Sequence, residues 1–287
     1  MDWRDQGILI STRRHGESSA IVEIFTAGHG RHVGVVRGGA GRRMAPILQP
    51  GAEVAVEWSA RLEEHIGAFR IDPIRAHGVG LMEDRAALGA LGAVTALIAI
   101  SLPEREPHPQ LFARTRDLVA ALGRLGDWPA RYALWELALL AELGFGLDLA
   151  RCAATGVTGD LAYVSPKSGA AVSRAGGAAW VDRLLPLPGF LLDAASAHPS
   201  IETSVRAAPA EVAAALRLTG FFLEARLAPT LPRHALPASR ARAVEAIRDA
   251  LQRRLGLDAS LGLASSRLAA RIASGWARPR GLLVVLP

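Results

Sequence analysis

EVAVEW, residues 53–58, alternates strictly, with Val54, Val56 and Trp58 on one face and Glu53, Ala55 and Glu57 on the other. A period of two is that of a strand with one side against a core and the other toward water. Four further β-branched or apolar runs flank it, at residues 8–14, 20–26, 32–37 and 66–71, separated by Gly16, Gly28, Gly30 and the pair Pro50-Gly51. Five short strands in so few residues predict a small closed barrel of the OB type, whose grooves commonly take single strands of nucleic acid. An SH3-like barrel satisfies the same pattern.

Through the third of these strands and on toward the fourth runs RHVGVVRGGAGRR, residues 31–43, with four arginines and no acid. Guanidinium groups fork onto phosphate oxygens, and glycine lets a backbone approach without a Cβ in the way. The loop therefore reads as a phosphate-backbone contact, or equally as a solvated loop in an arginine-rich chain. Lys167 is the only lysine among 33 basic residues, so arginine frequency carries less information than arginine placement. Residues 81–150 hold nine acids against six arginines, whereas residues 226–287 hold eleven arginines against three acids. Such segregation of charge favours a polyanionic partner.

At 287 residues the chain has the length of two ordinary domains. The single cysteine, Cys152, excludes an internal disulfide and a four-cysteine metal site, and a reducing compartment is expected. The opening MDWRDQ carries two acids and does not resemble a secretory signal. Residues 86–102 lack charge, but a stretch of this length diluted by Gly89, Gly92, Thr95 and Ser101 predicts a buried core helix rather than a membrane span.

After Asp72-Pro73 the chain turns to Ala/Leu-rich helix. Asp127 is placed to cap a helix opening at Trp128-Pro129, with Tyr132, Trp135, Leu139 and Leu143 on one stripe and Gly144 or Gly146 as its end. Aromatics at helical spacing predict core. Residues 150–180 read as irregular, and helix resumes from Pro209; in the last helix Arg240, Arg242, Arg248, Arg253 and Arg254 are expected on the outside.

Catalytic signals are missing. Gly38, Gly39 and Gly41 lack the GK[ST] ending of a phosphate-cradling loop and the G-x-G-x-x-G fingerprint. His15, His29 and His32 have no cysteine companion, and they read as loop histidines touching phosphate or solvent. Ser165, Lys167 and Ser168 read as a plain turn, and the paired acids Glu63-Glu64 and Glu83-Asp84 as solvated surface or helix-start charge.

Two separated segments resemble the bacterial RecO family of recombination mediators. GILISTRRHGESSAIVEIFTAGHGRHVGVVRGG followed by LQPG is similar to that family's opening strands, at Ile8, His15, Gly16, Glu17, Thr26, Gly30, Arg31, Arg37 and Gly38. LLAELGFGLDLARCAATG, then YVSPKSGAAVS, is similar to the helix that runs into a Leu-Gly-aromatic turn and a zinc-knuckle-like insertion. The resemblance covers residues 1 to about 245. Zinc-bearing members have two C-x-x-C pairs; here these are reduced to Cys152 with Thr155 and Ser173 with Gly176, and no zinc or other cofactor is expected.

The resemblance implies an α+β protein: an OB-type barrel over residues 1–80 and a helical domain over 81–255 with a degenerate knuckle-like insertion at 150–180; residues 256–287 exceed the family pattern and read as a basic tail, either an arm or a disordered extension. It implies a cytoplasmic, nucleoid-associated DNA-repair protein without enzymatic activity or membrane association. Such a protein binds single- and double-stranded DNA, works with RecR to load RecA onto strands coated by the single-strand-binding protein SSB, and anneals complementary strands. The SSB C-terminal tail would dock on the helical domain, and RecA would be engaged indirectly. The DNA-contacting residues are expected to be Arg13, Arg14, Arg31, His32, Arg37, Arg42 and Arg43, with Arg13 and Arg14 on opposite faces of their strand. A different RNA- or DNA-binding OB-barrel protein would keep the basic loop without the second segment.

Overall fold

The computed structural model describes residues 1–62, 64–196, 202–255, 261–264 and 282–285. The chain divides into two compact units, Met1–Arg124 and Leu125–Pro287. Glu63 and most of the tail beyond residue 255 lie outside the described residues.

In the first unit, strands β1 (Asp2–His15), β2 (Ser19–Thr26), β3 (Gly30–Val36), β4 (Ala52–Ser59) and β5 (Ala68–Ala76) close in the order β1-β2-β3-β5-β4. β1 pairs antiparallel with both β2 and β4, and β3 meets β5 in parallel through Val35 and Ala68. This is the OB-type closure. The alternation of 53–58 is realised: Val54, Val56 and Trp58 are buried in the barrel with Leu9, Val22, Ile24 and Phe69, while Glu53, Ala55 and Glu57 are half-buried. At Gly34 the absence of a Cβ admits the Phe69 ring, so one glycine lets the closing strand approach. β5 runs past Pro73 to Ala76, where the sequence predicts a change to helix. Its pairing with β3 ends at Ala68 and its register with β4 is irregular at Glu53/Val54, so the missing proline N–H breaks no central ladder.

Helices α1 (Arg85–Ser101) and α2 (Pro109–Ala121) belong to this unit. The Asp84 carboxylate accepts from the Ala86 and Ala87 amides at 3.0 Å and starts α1. Leu91, Val94, Leu97 and Ile98 are buried, so the uncharged stretch is a core helix, and no helix among the described residues is long and apolar enough to cross a membrane. From α2, Phe112 meets Phe25 edge-on at 5.5 Å, covering the outer side of β2.

In the second unit, α3 (Trp128–Glu142) buries Tyr132, Trp135 and Leu139 as core. Asp127 makes no side-chain cap. Its carboxylate instead holds Arg131 at 3.0 and 3.1 Å and the Val205 amide at 2.7 Å, tying α3 to a distant loop. Helices α4 (Arg174–Gly177), α5 (Gly189–Ser196), α6 (Pro209–Phe222) and α7 (Ala238–Leu255) follow, with a small sheet β7-β6-β8 formed by β6 (Leu161–Val164), β7 (Ala171–Ser173) and β8 (Leu185–Pro186). The residue 150–180 region is thus more ordered than its composition predicts.

Two arginines of α7 expected on the outside are buried, Arg240 at 1% and Arg248 at 8% exposure. Arg240 donates to the Glu136 carboxylate at 2.8 and 3.0 Å, and Thr219 Oγ1 donates to the same carboxylate at 2.5 Å. Gly220 leaves room for that guanidinium, since a Cβ there would sit 2.8 Å from it. The pair joins α3, α6 and α7, and each buried charge is matched by its partner.

Candidate nucleic-acid interface

Arg13 and Arg14 lie near the end of β1, where it pairs only with β2. Arg14 stands opposite Ala20 and so on the inward row that continues to Val36, whereas Arg13 stands opposite Ile21 on the outward row. The β1–β2 turn is made at Gly16, φ +64°. Arg37 follows β3, and Gly38, φ +72°, swings the chain into the loop carrying Arg42 and Arg43.

That loop is folded rather than merely open. Gly41 donates to Gly38 O at 2.9 Å, and Ala45 and Leu48 donate to Gly41 and Met44 oxygens at 2.9 and 3.0 Å in helical fashion. Ala40 N donates to Ser18 O at 2.9 Å, and Thr12 Oγ1 donates to Leu48 O at 2.9 Å, so the loop is bonded to the β1–β2 hairpin. Five arginines, Arg13, Arg14, Arg37, Arg42 and Arg43, are therefore exposed on the β1–β2 hairpin and the loop bonded to it, at one end of the barrel. None of the five has an ion pair or side-chain hydrogen bond among the described residues, and Glu17 in the hairpin turn is the nearest acid in sequence to the hairpin pair. Unpaired guanidiniums in water are ready to exchange counterions for phosphate.

Arg31 and His32 stand apart from this group. Arg31 donates to Leu102 O at 3.0 Å, is bonded to the Glu23 carboxylate and lies 3.8 Å from Glu104, fastening the α1–α2 connection to β3. His32 points into the barrel at 4% exposure, ringed by Trp3, Trp58 and Phe69. Burial, with Arg105 close by, pulls its pKa down to about 4, so the ring is neutral at ordinary pH. His29 is not a free loop histidine either: its Nδ1 is 3.2 Å from Asp5 and its ring stacks on Trp3 at 4.0 Å. The β2–β3 face that OB barrels commonly offer to nucleic acid carries buried Glu23 and Phe25 beneath Arg31 and Phe112, whereas the arginines of the β1–β2 hairpin and the loop after β3 are exposed.

The positions equivalent to the two C-x-x-C pairs do converge. Ser173 donates from N and Oγ to Cys152 Sγ at 3.1 and 3.3 Å, Thr155 Oγ1 is 3.5 Å from Ser173 Oγ, and a Cβ at Gly176 would lie 3.1 Å from Cys152 Sγ. The hydroxyl and amide of Ser173 hold the thiol pKa down at about 6. One thiol, two hydroxyls and a glycine do not fit the four ligands of a structural zinc. Among the described residues no three His, Cys, Asp or Glu side chains gather as a metal site. Ser165 and Lys167 belong to a turn closed by Gly169 N to Ser165 O at 2.8 Å.

Comparison with known proteins matches both units to one family. Residues 1–76 match the domain described as Recombination protein O N terminal, and residues 82–235 match Recombination protein O C terminal. Among curated relatives, the DNA repair protein RecO of Ruegeria sp. (strain TM1040) is 51% identical over 247 residues, 86% of this chain and 98% of its own. That of Cereibacter sphaeroides (strain ATCC 17029) is 53% identical over 245 residues, 85% and 98% of the two chains. The protein of the same name from Dinoroseobacter shibae is 47% identical over 248 residues, again 86% and 98%. With both domain matches in order along the chain and such identity over nearly the whole of each relative, this protein belongs to the RecO family.

Proposed function

We propose that this protein is a non-enzymatic recombination mediator of DNA repair, acting in the cytoplasm on nucleoid DNA. It binds single- and double-stranded DNA through phosphate contacts, cooperates with RecR to load RecA onto SSB-coated strands, and anneals complementary strands. The observation that carries the reading is the set of five unpaired, exposed arginines on the β1–β2 hairpin and the loop bonded to it in an OB-type barrel, in a chain of this family. Arg13, Arg14, Arg37, Arg42 and Arg43 would take the phosphates. Arg31 and His32 would act behind them, by fixing β3 and its connection to α1. The helical unit would receive the acidic SSB tail, whose terminal carboxylate and apolar side chain call for a guanidinium beside an apolar slot.

The test is RecA filament assembly on SSB-coated single strands with RecR present. Wild-type protein should relieve the SSB block, and the Arg37→Ala/Arg42→Ala/Arg43→Ala variant should lose most of that effect. If wild-type protein binds DNA but neither relieves the block nor binds an SSB tail peptide in calorimetry at millimolar concentration, a general nucleic-acid-binding barrel is the better description.

A further inference from the structure

Trp180 stands out among the described aromatic residues. It is 54% exposed, whereas Trp58, Trp128 and Trp135 are each at 3% or less. It lies in the 3₁₀ turn Ala178–Arg183, where residues three apart are eclipsed, and this sets the Arg183 guanidinium over the indole with its carbon 5.2 Å from the ring centroid. The turn is anchored from below: Ser173 Oγ accepts from Gly176 N at 3.1 Å, and Gly177 packs where a Cβ would sit 2.9 Å from both the Tyr163 ring and Leu184. Arg174, 69% exposed on its side chain, precedes it with only a loose surface pair to Asp160 at 3.4 Å. Over residues 151–183 four basic groups face two acids.

We propose that Trp180 and Arg183 form a stacking platform for the bases of single-stranded nucleic acid. Both residues belong to the second unit, and the proposal rests on the DNA-binding reading above. An exposed indole with a guanidinium over one face presents a second π-face and positive charge together, which is what an unpaired base and its phosphate need. Duplex bases are already stacked on one another and cannot use it. A protein partner would find the same tryptophan attractive, but the guanidinium on its ring and the net positive charge of residues 151–183 favour the polyanion.

The full-length protein would be titrated by fluorescence anisotropy with labelled oligothymidylate and with an abasic sugar-phosphate oligomer of equal length. Trp180→Ala should weaken oligothymidylate binding about tenfold, with abasic binding changed less than about twofold and the melting temperature preserved. Trp180→Phe should restore most of the loss. Unchanged oligothymidylate affinity in Trp180→Ala, or an equal loss on both oligomers, overturns the platform while wild-type DNA binding still stands. If wild-type protein binds neither oligomer, the DNA-binding reading itself fails and the platform with it.

Discussion

Arg42 and Arg240 are the same residue put to opposite uses. Arg42 is exposed on a loop without a partner, in a unit whose arginines lie mostly in water; Arg240 is 1% exposed and locked onto Glu136 across two other helices. The charge is identical and the surroundings decide. An exposed guanidinium contributes almost nothing to folding and is free for a ligand, whereas a buried one is fixed by its carboxylate and unavailable to any. Counting arginines along α7 therefore says little about where DNA binds.

The sharpest way to break this contrast is to remove the buried member. Arg240→Ala strands the Glu136 carboxylate in the core, and the expected loss of stability is about 3–5 kcal/mol by denaturant titration. Replacing the pair together, Arg240→Met with Glu136→Leu, should recover most of it, because no charge is then left unmatched. A single variant as stable as wild type would mean that the pair is not the link between α3, α6 and α7.

A second effect concerns the inward histidine of the barrel. His32 has a folded pKa of about 4 against an ordinary value of 6.5, so in acid the unfolded chain takes up a proton that the folded barrel refuses. Its contribution to stability is complete above 6.5 and is lost as pH falls from there toward about 4. Within that window the slope should be at most about 1.4 kcal/mol per pH unit from this group. Stability measured against pH should show a shallower acid limb in His32→Phe than in wild type; identical limbs would place the acid sensitivity elsewhere.

These two groups also mark what the sequence conceals. The strands were legible because alternation at residues 53–58 and glycine punctuation act locally, and the core helix at α1 because an uncharged stretch of that length has few other uses. The five exposed arginines were legible as a basic loop and hairpin. His32 was not, because a histidine on the inward row of β3 looks in one dimension like its neighbour Arg31, and only register with Ile24 shows which way it faces. Arg240 was hidden for a different reason: its partner is 104 residues away. Trp180 gave no periodic signal at all, since a short 3₁₀ turn has too few residues to show one.

A smaller effect is expected at Cys152. Serine preserves a group able to meet the amide and hydroxyl of Ser173, so Cys152→Ser should change stability by roughly 1 kcal/mol or less, the scale of one neutral hydrogen bond. Elemental analysis of the purified protein should find well under one equivalent of zinc. A stoichiometric metal, or a variant that fails to fold, would contradict the donor set described for this site.

The smallest effect on folding, and the largest on ligand, belongs to the loop. Arg37→Ala/Arg42→Ala/Arg43→Ala should leave the melting temperature within a few degrees, because these side chains have no partners to lose. The direct measurement is the salt dependence of single-strand binding in wild type and this variant. Engagement of about five phosphates gives a slope of log K against log salt near −3.5, and loss of three contacts should bring it to about −1.4, at roughly 0.7 counterions per contact. A wild-type slope near zero, or a variant with the wild-type slope, would contradict a DNA surface at this end of the barrel.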